Sequence, residues 1–120
     1  MCRLFTGADV GLWKPVTRSL RLHGVGTSVR LEAFFWQVLE DAAQRDGLSL
    51  NMLLTRLYDE VQEVDRELDN FCASLRVCAG RYLALQVSGD IPKDPAIPIR
   101  SLDAGAVLAR EKSRMAAIAG

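Results

Sequence analysis

Few residues of this chain have the types and spacing that enzyme chemistry requires. Its only histidine, His23, precedes a glycine in a segment that we interpret as a turn. Cys72 and Cys78 are six residues apart, so on a helix they would not share a face. The carboxylates clustered within residues 59–69 are more typical of a solvated helix face than of an acid–base pair. We therefore predict a protein that is not an enzyme, with no catalytic site, metal site or cofactor.

The basic residues near the N-terminus are better suited to contacts with nucleic acid. Residues 1–32 carry five Arg and Lys residues against two acidic ones, residues 33–70 carry three against nine, and residues 71–120 carry seven against four. The overall net charge of zero hides this asymmetry. A nucleic-acid face, if the chain has one, is expected in the N-terminal third. The same charges also fit ordinary solvated surfaces, and both interpretations stay open.

Two short segments in that third alternate between apolar and polar side chains. The alternation in residues 18–22 and 27–31 predicts strands with one buried face. In the second segment Ser28 and Arg30 share the polar face. The intervening residues 23–26, His-Gly-Val-Gly, predict a hairpin turn. Segments this short need a further strand or a helix beneath them.

Two amphipathic helices are predicted after the second strand. Residues 33–45 carry an apolar stripe at helical spacing, and Gly47 suits the left-handed residue that closes a helix. Ser49 suits the N-cap of the next helix. Trp36 lies opposite the apolar stripe, so we expect the N-terminal arm or the C-terminal helix to cover it.

An apolar seam with alternating steps of four and three residues begins in the second helix. It fits one long helix to about residue 86, or two helices with a corner near Asp69-Asn70. One continuous helix would be about 55 Å long at 1.5 Å per residue, which a chain of this length would bury poorly. We therefore favour the corner. The seam consists of Leu50, Leu54, Leu57, Val61, Val64, Leu68, Phe71, Leu75, Cys78 and Tyr82.

The two ends of the chain look different from its centre. Residues 1–17 show no clear period and predict an irregular arm, and residues 18–87 predict the folded domain. Pro92, Pro95 and Pro98 fall every third residue, the repeat of an extended polyproline helix. Residues 88–120 therefore predict a linker and a short helix that is either a mobile tail or a docking segment.

Composition places the chain in a broad class. A length of 120 residues predicts one domain, and the 49% hydrophobic content is high for a small monomer, which suggests burial between subunits. Three widely spread cysteines suit a reducing compartment. No apolar run approaches the roughly 20 residues that span a membrane, and the N-terminus lacks a signal-peptide pattern. We predict a cytoplasmic protein without membrane contact.

The order of a short strand, a helix, the turn Asp46-Gly47-Leu48 and a second helix opening at Ser49-Leu50-Asn51 carries a resemblance. The stretch from residue 26 to about residue 58 resembles the ribbon-helix-helix superfamily of bacterial repressors, the Arc and MetJ type. Residues 71–86 are similar to an extended bacterial subgroup that adds a third helix. The resemblance implies a mainly α fold with a short β-ribbon, built as an intertwined homodimer, here with a third C-terminal helix and a proline-spaced tail.

The resemblance also implies which residues touch DNA. The ribbon would enter the major groove, and the base-reading positions would be Gly26, Ser28 and Arg30. Arg30 could make a bidentate pair with guanine, whereas Gly26 leaves the third reading position without a side chain. The start of the second helix, at Ser49, Leu50 and Asn51, would contact a phosphate through backbone N–H groups.

The first predicted strand complicates this picture. If it pairs with the second one, the dimer would hold four strands and measure about 19 Å across at about 4.8 Å per strand, against a major groove of about 12 Å. The extra strand would then be displaced on DNA binding, or would run along the backbone with Arg18 and Arg21 on phosphates. A third alternative is that DNA binding has been lost.

Two functions therefore stay open. The first is a sequence-specific DNA-binding transcriptional regulator, a repressor that binds an operator as a homodimer. The alternative is a dimeric protein-interaction module of the antitoxin or adaptor kind. In that alternative the C-terminal helix or the proline-spaced tail would bind a protein partner.

Overall fold

The fold is a β-hairpin packed on helices. The structure, a computed structural model, describes residues 2–64 and 71–119. The prediction of a mainly helical chain with a short β-ribbon and an added helix is confirmed. The elements are α1 (Cys2–Thr6), α2 (Val10–Trp13), β1 (Pro15–Leu22), β2 (Val25–Glu32), α3 (Ala33–Arg45), α4 (Leu50–Val64), α5 (Phe71–Val87), a 3₁₀ helix (Ile99–Ser101) and α6 (Ala104–Ala119).

The hairpin is longer than the sequence predicts. β1 and β2 are antiparallel over their whole lengths, from the pair Pro15 and Glu32 to the pair Leu22 and Val25. The turn consists of His23 and Gly24 alone, with φ of 52° and 79°, and a two-residue type I′ turn requires positive φ at both positions. The first three residues of β1 are exposed whichever face they are on. They do not alternate between buried and exposed positions, so the sequence does not indicate that they belong to a strand.

The N-terminal segment is more ordered than the predicted irregular arm. It contains α1 and α2, and Asp9 caps α2 by accepting a hydrogen bond from Gly11 N–H at 2.7 Å. The strand that follows covers Trp36, whose ring is 2% exposed and whose Nε1–H donates to the carbonyl of Val16 at 2.9 Å. Of the two predicted covers, the N-terminal arm of residues 1–17 is the one that contacts Trp36, through Val16, although this residue belongs to a strand and not to an irregular segment.

The bounds of α3 agree with those of the first helix predicted from the sequence. α3 spans Ala33–Arg45, and Gly47 follows it with a φ of 67°. Leu48 N–H donates to the carbonyl of Ala43 at 2.9 Å across this glycine, as in a Schellman motif. Ser49 caps α4 by accepting a hydrogen bond from Met52 N–H at 3.1 Å. These local signals are short in range, so they can be read from the sequence.

The described residues of the apolar seam belong to two helices that fold back on each other. The rings of Tyr58 in α4 and Phe71 in α5 lie 5.4 Å apart, edge to face. In one continuous helix these residues would be separated by about 19 Å along the axis at 1.5 Å per residue. The prediction of two helices is confirmed, whereas the predicted corner at Asp69-Asn70 lies outside the described residues.

α5 buries part of the described seam within a single chain. Leu54 of α4, Leu75 of α5 and Leu31 of β2 are all 0% exposed and belong to one core. Leu57, another seam residue, and Phe35 of the predicted apolar stripe of residues 33–45 are partly buried against it. The third helix therefore buries apolar residues that the hydrophobic content of the sequence had led us to expect between subunits, so that content does not by itself require a second chain.

The proline-containing segment docks on the end of α3. Arg45, only 8% exposed, donates from Nε to the carbonyl of Ile97 at 2.7 Å and from Nη2 to the carbonyls of Asp94, at 2.9 Å, and Pro92. Residues 88–97 form turns and bends instead of the extended polyproline helix that the proline spacing predicts. The guanidinium binds three carbonyls at once, and this holds the segment against α3.

Ion pairs attach α6 to the end of α5. Asp90, just after α5, accepts hydrogen bonds from Arg110 and, at 2.7 Å, from Arg114. Arg81 of α5 donates to Glu111 at 2.6 Å and 3.0 Å. These three ion pairs connect α6 with α5 and with the residue just after it, so α6 is held in a defined place in this structure.

Acid should loosen α6. Hydrogen bonds, first of all from the Arg110 guanidinium, lower the pKa of Asp90 from 3.8 to about 2. A lowered pKa in the folded state means that this anchorage is complete above pH 3.8 and is lost as the pH falls through about 2. We expect amide protection factors in α6 to fall over this interval. In Asp90→Asn they should already be reduced at pH 7, where of these ion pairs only that of Arg81 and Glu111 still attaches α6, and equal protection in the two proteins would contradict the anchoring role.

Candidate nucleic-acid interface

The three predicted base-reading positions share one exposed face of the hairpin. Gly26, Ser28 and Arg30 alternate along β2 with the buried residues Val29 and Leu31. We call these three residues the outer face of β2. The alternation arises because successive side chains of a strand point to opposite sides. The sequence predicted this arrangement of Ser28 and Arg30 correctly.

β1 contributes a second row of side chains to the same side of the sheet. These residues are exposed as well, so the hairpin presents two parallel rows of polar or small residues. Thr17 and Ser19 had not been singled out as site residues, although the alternation of residues 18–22 already turns Ser19 outward. The cross-strand pairs are Thr17 with Arg30, Ser19 with Ser28, and Arg21 with Gly26.

Arg30 is free to contact a ligand. Its side chain is exposed, and it makes no ion pair or hydrogen bond with any residue in the described part of the chain. Because it sits on a strand and not on a loop, its position relative to Ser28 is set by the pleat of the sheet. The arrangement places a cationic fork and a hydroxyl two positions apart on the same face of one strand.

Arg18 lies on the opposite side of the sheet from Arg21. It pairs with Val29 in the strand register, and its guanidinium lies 5.2 Å from the centroid of the Trp36 ring. Its Nη1 is also 3.5 Å from Glu40 Oε1. The two arginines that we predicted as phosphate contacts are therefore not brought together, and Arg18 faces α3.

The N-terminus of α4 lies beside β1. Asn51 Oδ1 accepts from Arg21 N–H at 3.2 Å, and Asn51 Nδ2 donates to the carbonyl of Arg21 at 3.3 Å. The predicted phosphate positions Ser49, Leu50 and Asn51 are thus fixed next to the exposed side of the hairpin. The first backbone N–H groups of a helix lack partners within the helix and attract anions.

An open groove of about 500 Å³ lies between the exposed side of the hairpin and the N-terminus of α4. Its lining brings Gly26 of β2 together with Ser19, Leu20 and Arg21 of β1 and with Asn51 of α4. A predicted reading position and two predicted phosphate positions therefore border the same depression. The contact between Asn51 and Arg21 spans 30 residues of sequence, so no local pattern could have revealed it.

One edge of β2 is unpaired among the residues that the structure describes. Beyond the strands Ala33 N–H donates to the carbonyl of Lys14 at 2.9 Å, and both backbone groups of Arg21 bond to Asn51 instead of β2. Alternate residues of an antiparallel strand turn their backbone groups toward the partner strand. The N–H and C=O groups of the outer face of β2 therefore point away from β1, and within residues 2–64 and 71–119 they have no partner.

The other candidates for chemistry form no site. His23 Nε2 contacts Asp59 Oδ1 and so ties the hairpin turn to α4. Burial raises the pKa of the Cys78 thiol, which disfavours the reactive thiolate. The described residues contain no group of three or more His, Cys, Asp or Glu side chains that could hold a metal ion. None of the helices in these residues is long and apolar enough to cross a membrane.

Comparisons with known proteins found a matching family and a similar solved structure. The family described as ribbon-helix-helix domain matches residues 15–83, which run from the first residue of β1 into α5. The solved structure of an uncharacterized protein from Bordetella pertussis Tohama I is similar, with 54% sequence identity and a TM-score of 0.85 over 90% of this chain and 86% of that chain. No curated protein matches the chain. The hairpin, α3, α4 and most of α5 therefore lie within one family match.

Proposed function

The chain belongs to the ribbon-helix-helix domain family, and from this premise we propose that it is a non-enzymatic, DNA-binding transcriptional regulator that acts in the bacterial cytoplasm. It would bind a specific operator as a homodimer and read the major groove with its β-ribbon. The observation that carries the proposal is the outer face of β2, where Ser28 and Arg30 are exposed on the same side of the strand, with Arg30 free of intramolecular partners in the described residues.

Arg30 supplies the chemistry for reading a base. A guanidinium can donate two hydrogen bonds to O6 and N7 of guanine, and such a pair discriminates against the wrong base by about 1–3 kcal/mol. Ser28, on the same face, offers a hydroxyl that bonds to several bases with less selectivity. We therefore assign guanine selection to Arg30 and an auxiliary contact to Ser28.

The unpaired edge of β2 supports assembly into a dimer. An exposed strand edge is a template for pairing with another chain, and a second β2 is the matching partner. Antiparallel pairing centred near Ser28 would give a sheet of four strands, with the two β2 strands at its centre. Because that sheet is wider than the major groove, β1 would lie against the walls of the groove, near the phosphates.

The start of α4 would contact a phosphate. Its first N–H groups, near Leu50 and Asn51, combine with the positive end of the helix dipole. The contact between Asn51 and Arg21 fixes the distance between this helix end and the ribbon. Of the arginines predicted to contact phosphate, Arg21 faces the same side as Arg30, whereas Arg18 is held against Trp36 and Glu40.

A protein-interaction module is the second candidate function. The observation that favours it is the apolar surface of α6, where Leu108 and Met115 are more than half exposed. These residues are seven positions apart and so lie on one helix face. On this alternative the β-ribbon makes the dimer and the C-terminal helix binds a protein partner.

A selection from random DNA duplexes tests the proposal. The purified protein should enrich one operator at low salt. Arg30→Ala should then lower affinity for that operator by about 1–3 kcal/mol and change affinity for random duplex much less. Lys112→Ala, which removes one positive charge from α6, is the matched control and should change both affinities little.

Two results would favour the protein-interaction module instead. One is that no sequence is enriched at low salt. The other is that Arg30→Ala binds the enriched operator as tightly as the unaltered protein does. Fluorescence anisotropy at a fixed salt concentration measures both affinities, because binding to DNA depends steeply on salt.

A further inference from the structure

The outer face of β2 has a gap at Gly26 that a residue of β1 is placed to fill. We propose, on the premise of the proposed DNA-binding function, that Arg21 supplies the third base-reading side chain and selects a second guanine in each half-site. Arg21 is the direct cross-strand partner of Gly26, and both residues are exposed. This assignment replaces the phosphate contact that the sequence suggests for Arg21.

The space above Gly26 is open. A Cβ atom built at this glycine would meet no atom within 4 Å, and its φ lies outside the left-handed region, so the backbone does not require glycine here. The absence of a side chain instead leaves room for a neighbour. Directly opposed residues in an antiparallel pair lie about 4.5–5.5 Å apart, within easy reach of an arginine side chain.

The backbone of Arg21 is held in place by α4, at the edge of β1 that faces away from β2. Its N–H and carbonyl both bond to Asn51, at 3.2 Å and 3.3 Å, so the start of its side chain is fixed relative to α4. The Arg21 side chain makes no bond with any residue that the structure describes. The backbone of Arg21 is therefore fixed, and its guanidinium, like that of Arg30, has no partner among the described residues.

The direction in which the Arg21 side chain extends decides whether it contacts a phosphate or a base. In the four-stranded sheet β1 flanks the ribbon, and a side chain that extends outward from it would meet phosphate. Across Gly26 the same side chain can extend toward the centre of the ribbon, where the base edges lie. Long side chains reach diagonal neighbours about 7–8 Å away, so Arg21 can act beside Ser28 at the level of the bases.

Three substitutions test this assignment with the selected operator. Arg21→Ala should weaken operator binding by about 5- to 150-fold and leave random-duplex binding nearly unchanged. Arg21→Lys should weaken the operator similarly, because lysine keeps the charge for a phosphate but loses the planar fork. A repeated selection with Arg21→Ala should lose the preference at one base pair of each half-site and keep the preference that Arg30 sets. Lys112→Ala again serves as the charge-matched control.

The open space at Gly26 can be tested separately. Gly26→Val should block the path of the arginine and weaken the operator as Arg21→Ala does, while its circular dichroism and thermal unfolding stay close to those of the unaltered protein. In the Arg21→Ala background the same valine should add little, because the contact is already lost. Independent, additive losses would overturn the proposed path across Gly26.

The outcomes separate this inference from the function on which it rests. If no operator is enriched, the DNA-binding function is contradicted, and the role of Arg21 with it. If an operator is enriched and Arg30→Ala loses it, but Arg21→Ala weakens operator and random duplex equally with a lower salt dependence, Arg21 contacts phosphate. That result overturns the inference and leaves the proposed function standing.

Discussion

Replacing Leu54 by alanine is expected to lower the free energy of unfolding by about 2–5 kcal/mol, the largest stability loss that we predict for one side chain. Leu54 is 0% exposed and belongs to the core that joins the hairpin with α3, α4 and α5. The substitution removes buried apolar contacts and leaves a cavity that the surrounding elements can fill only in part. Urea denaturation followed by circular dichroism measures the change.

The matched control for this prediction is the same substitution at an exposed leucine. Leu108 of α6 is 52% exposed, so Leu108→Ala should change the free energy of unfolding by less than about 0.5 kcal/mol. A loss that small for Leu54→Ala would mean that the packed face of α4 is wrongly assigned. A large loss for Leu108→Ala would mean that its face of α6 is buried in solution.

Replacing Ser28 by proline is expected to abolish the dimer while the monomer stays folded. The N–H group of Ser28 lies on the unpaired edge of β2, so its loss removes a bond to a second chain and none to β1. Proline is tolerated on edge strands for this reason. Sedimentation equilibrium at low micromolar concentration should give about twice 13.2 kDa for the unaltered protein and 13.2 kDa for Ser28→Pro.

The control for the dimer prediction lies on the other strand. Thr17 of β1 faces the same side as Ser28, and its N–H points away from β2, so Thr17→Pro should leave the central edge intact and the dimer unchanged. A folded, stable monomer of the unaltered protein would contradict the ribbon dimer. So would a Ser28→Pro protein that still sediments as a dimer.

Elements defined by local signals were predictable from the sequence. The bounds of α3, the glycine after it and the cap at Ser49 depend on residues within one turn of each other. The true start of β1 at Pro15 was not predictable, because the beginning of that strand is exposed on both faces. A strand segment without a buried face shows no alternation of apolar and polar residues. Only its pairing with β2 shows that the start of β1 is part of the strand.

Features that depend on distant contacts were not predictable. A heptad seam looks the same whether a third helix of the same chain or a second subunit covers it, so the burial of Leu54 by α5 could not be distinguished from dimer burial. Arg45 resembles an ordinary basic residue in the last turn of a helix, where the dipole favours it. Its role in holding Ile97 and Asp94 appears only in three dimensions.

The candidate site likewise contains some features that the sequence predicts and others that depend on distant contacts. Alternation alone placed Ser28 and Arg30 on one face, and it also placed Arg18 and Arg21 on opposite faces of β1. The pairing of Arg21 with Gly26 requires the register of the hairpin, which follows from the two-residue turn. The bonds from Asn51 to Arg21 join the two ends of the site across the fold, and no pattern in the sequence indicates them.

The most direct test of the central claim, that Arg30 reads a guanine in the major groove, changes the DNA and the protein together. 7-Deazaguanine lacks the N7 acceptor, so placing it at the guanine assigned to Arg30 removes one of the two hydrogen bonds of the bidentate pair. We predict that this operator binds the unaltered protein several-fold more weakly than the normal operator does, and that Arg30→Ala binds both operators equally. An equal loss for both proteins, or no loss for either, would contradict the claim.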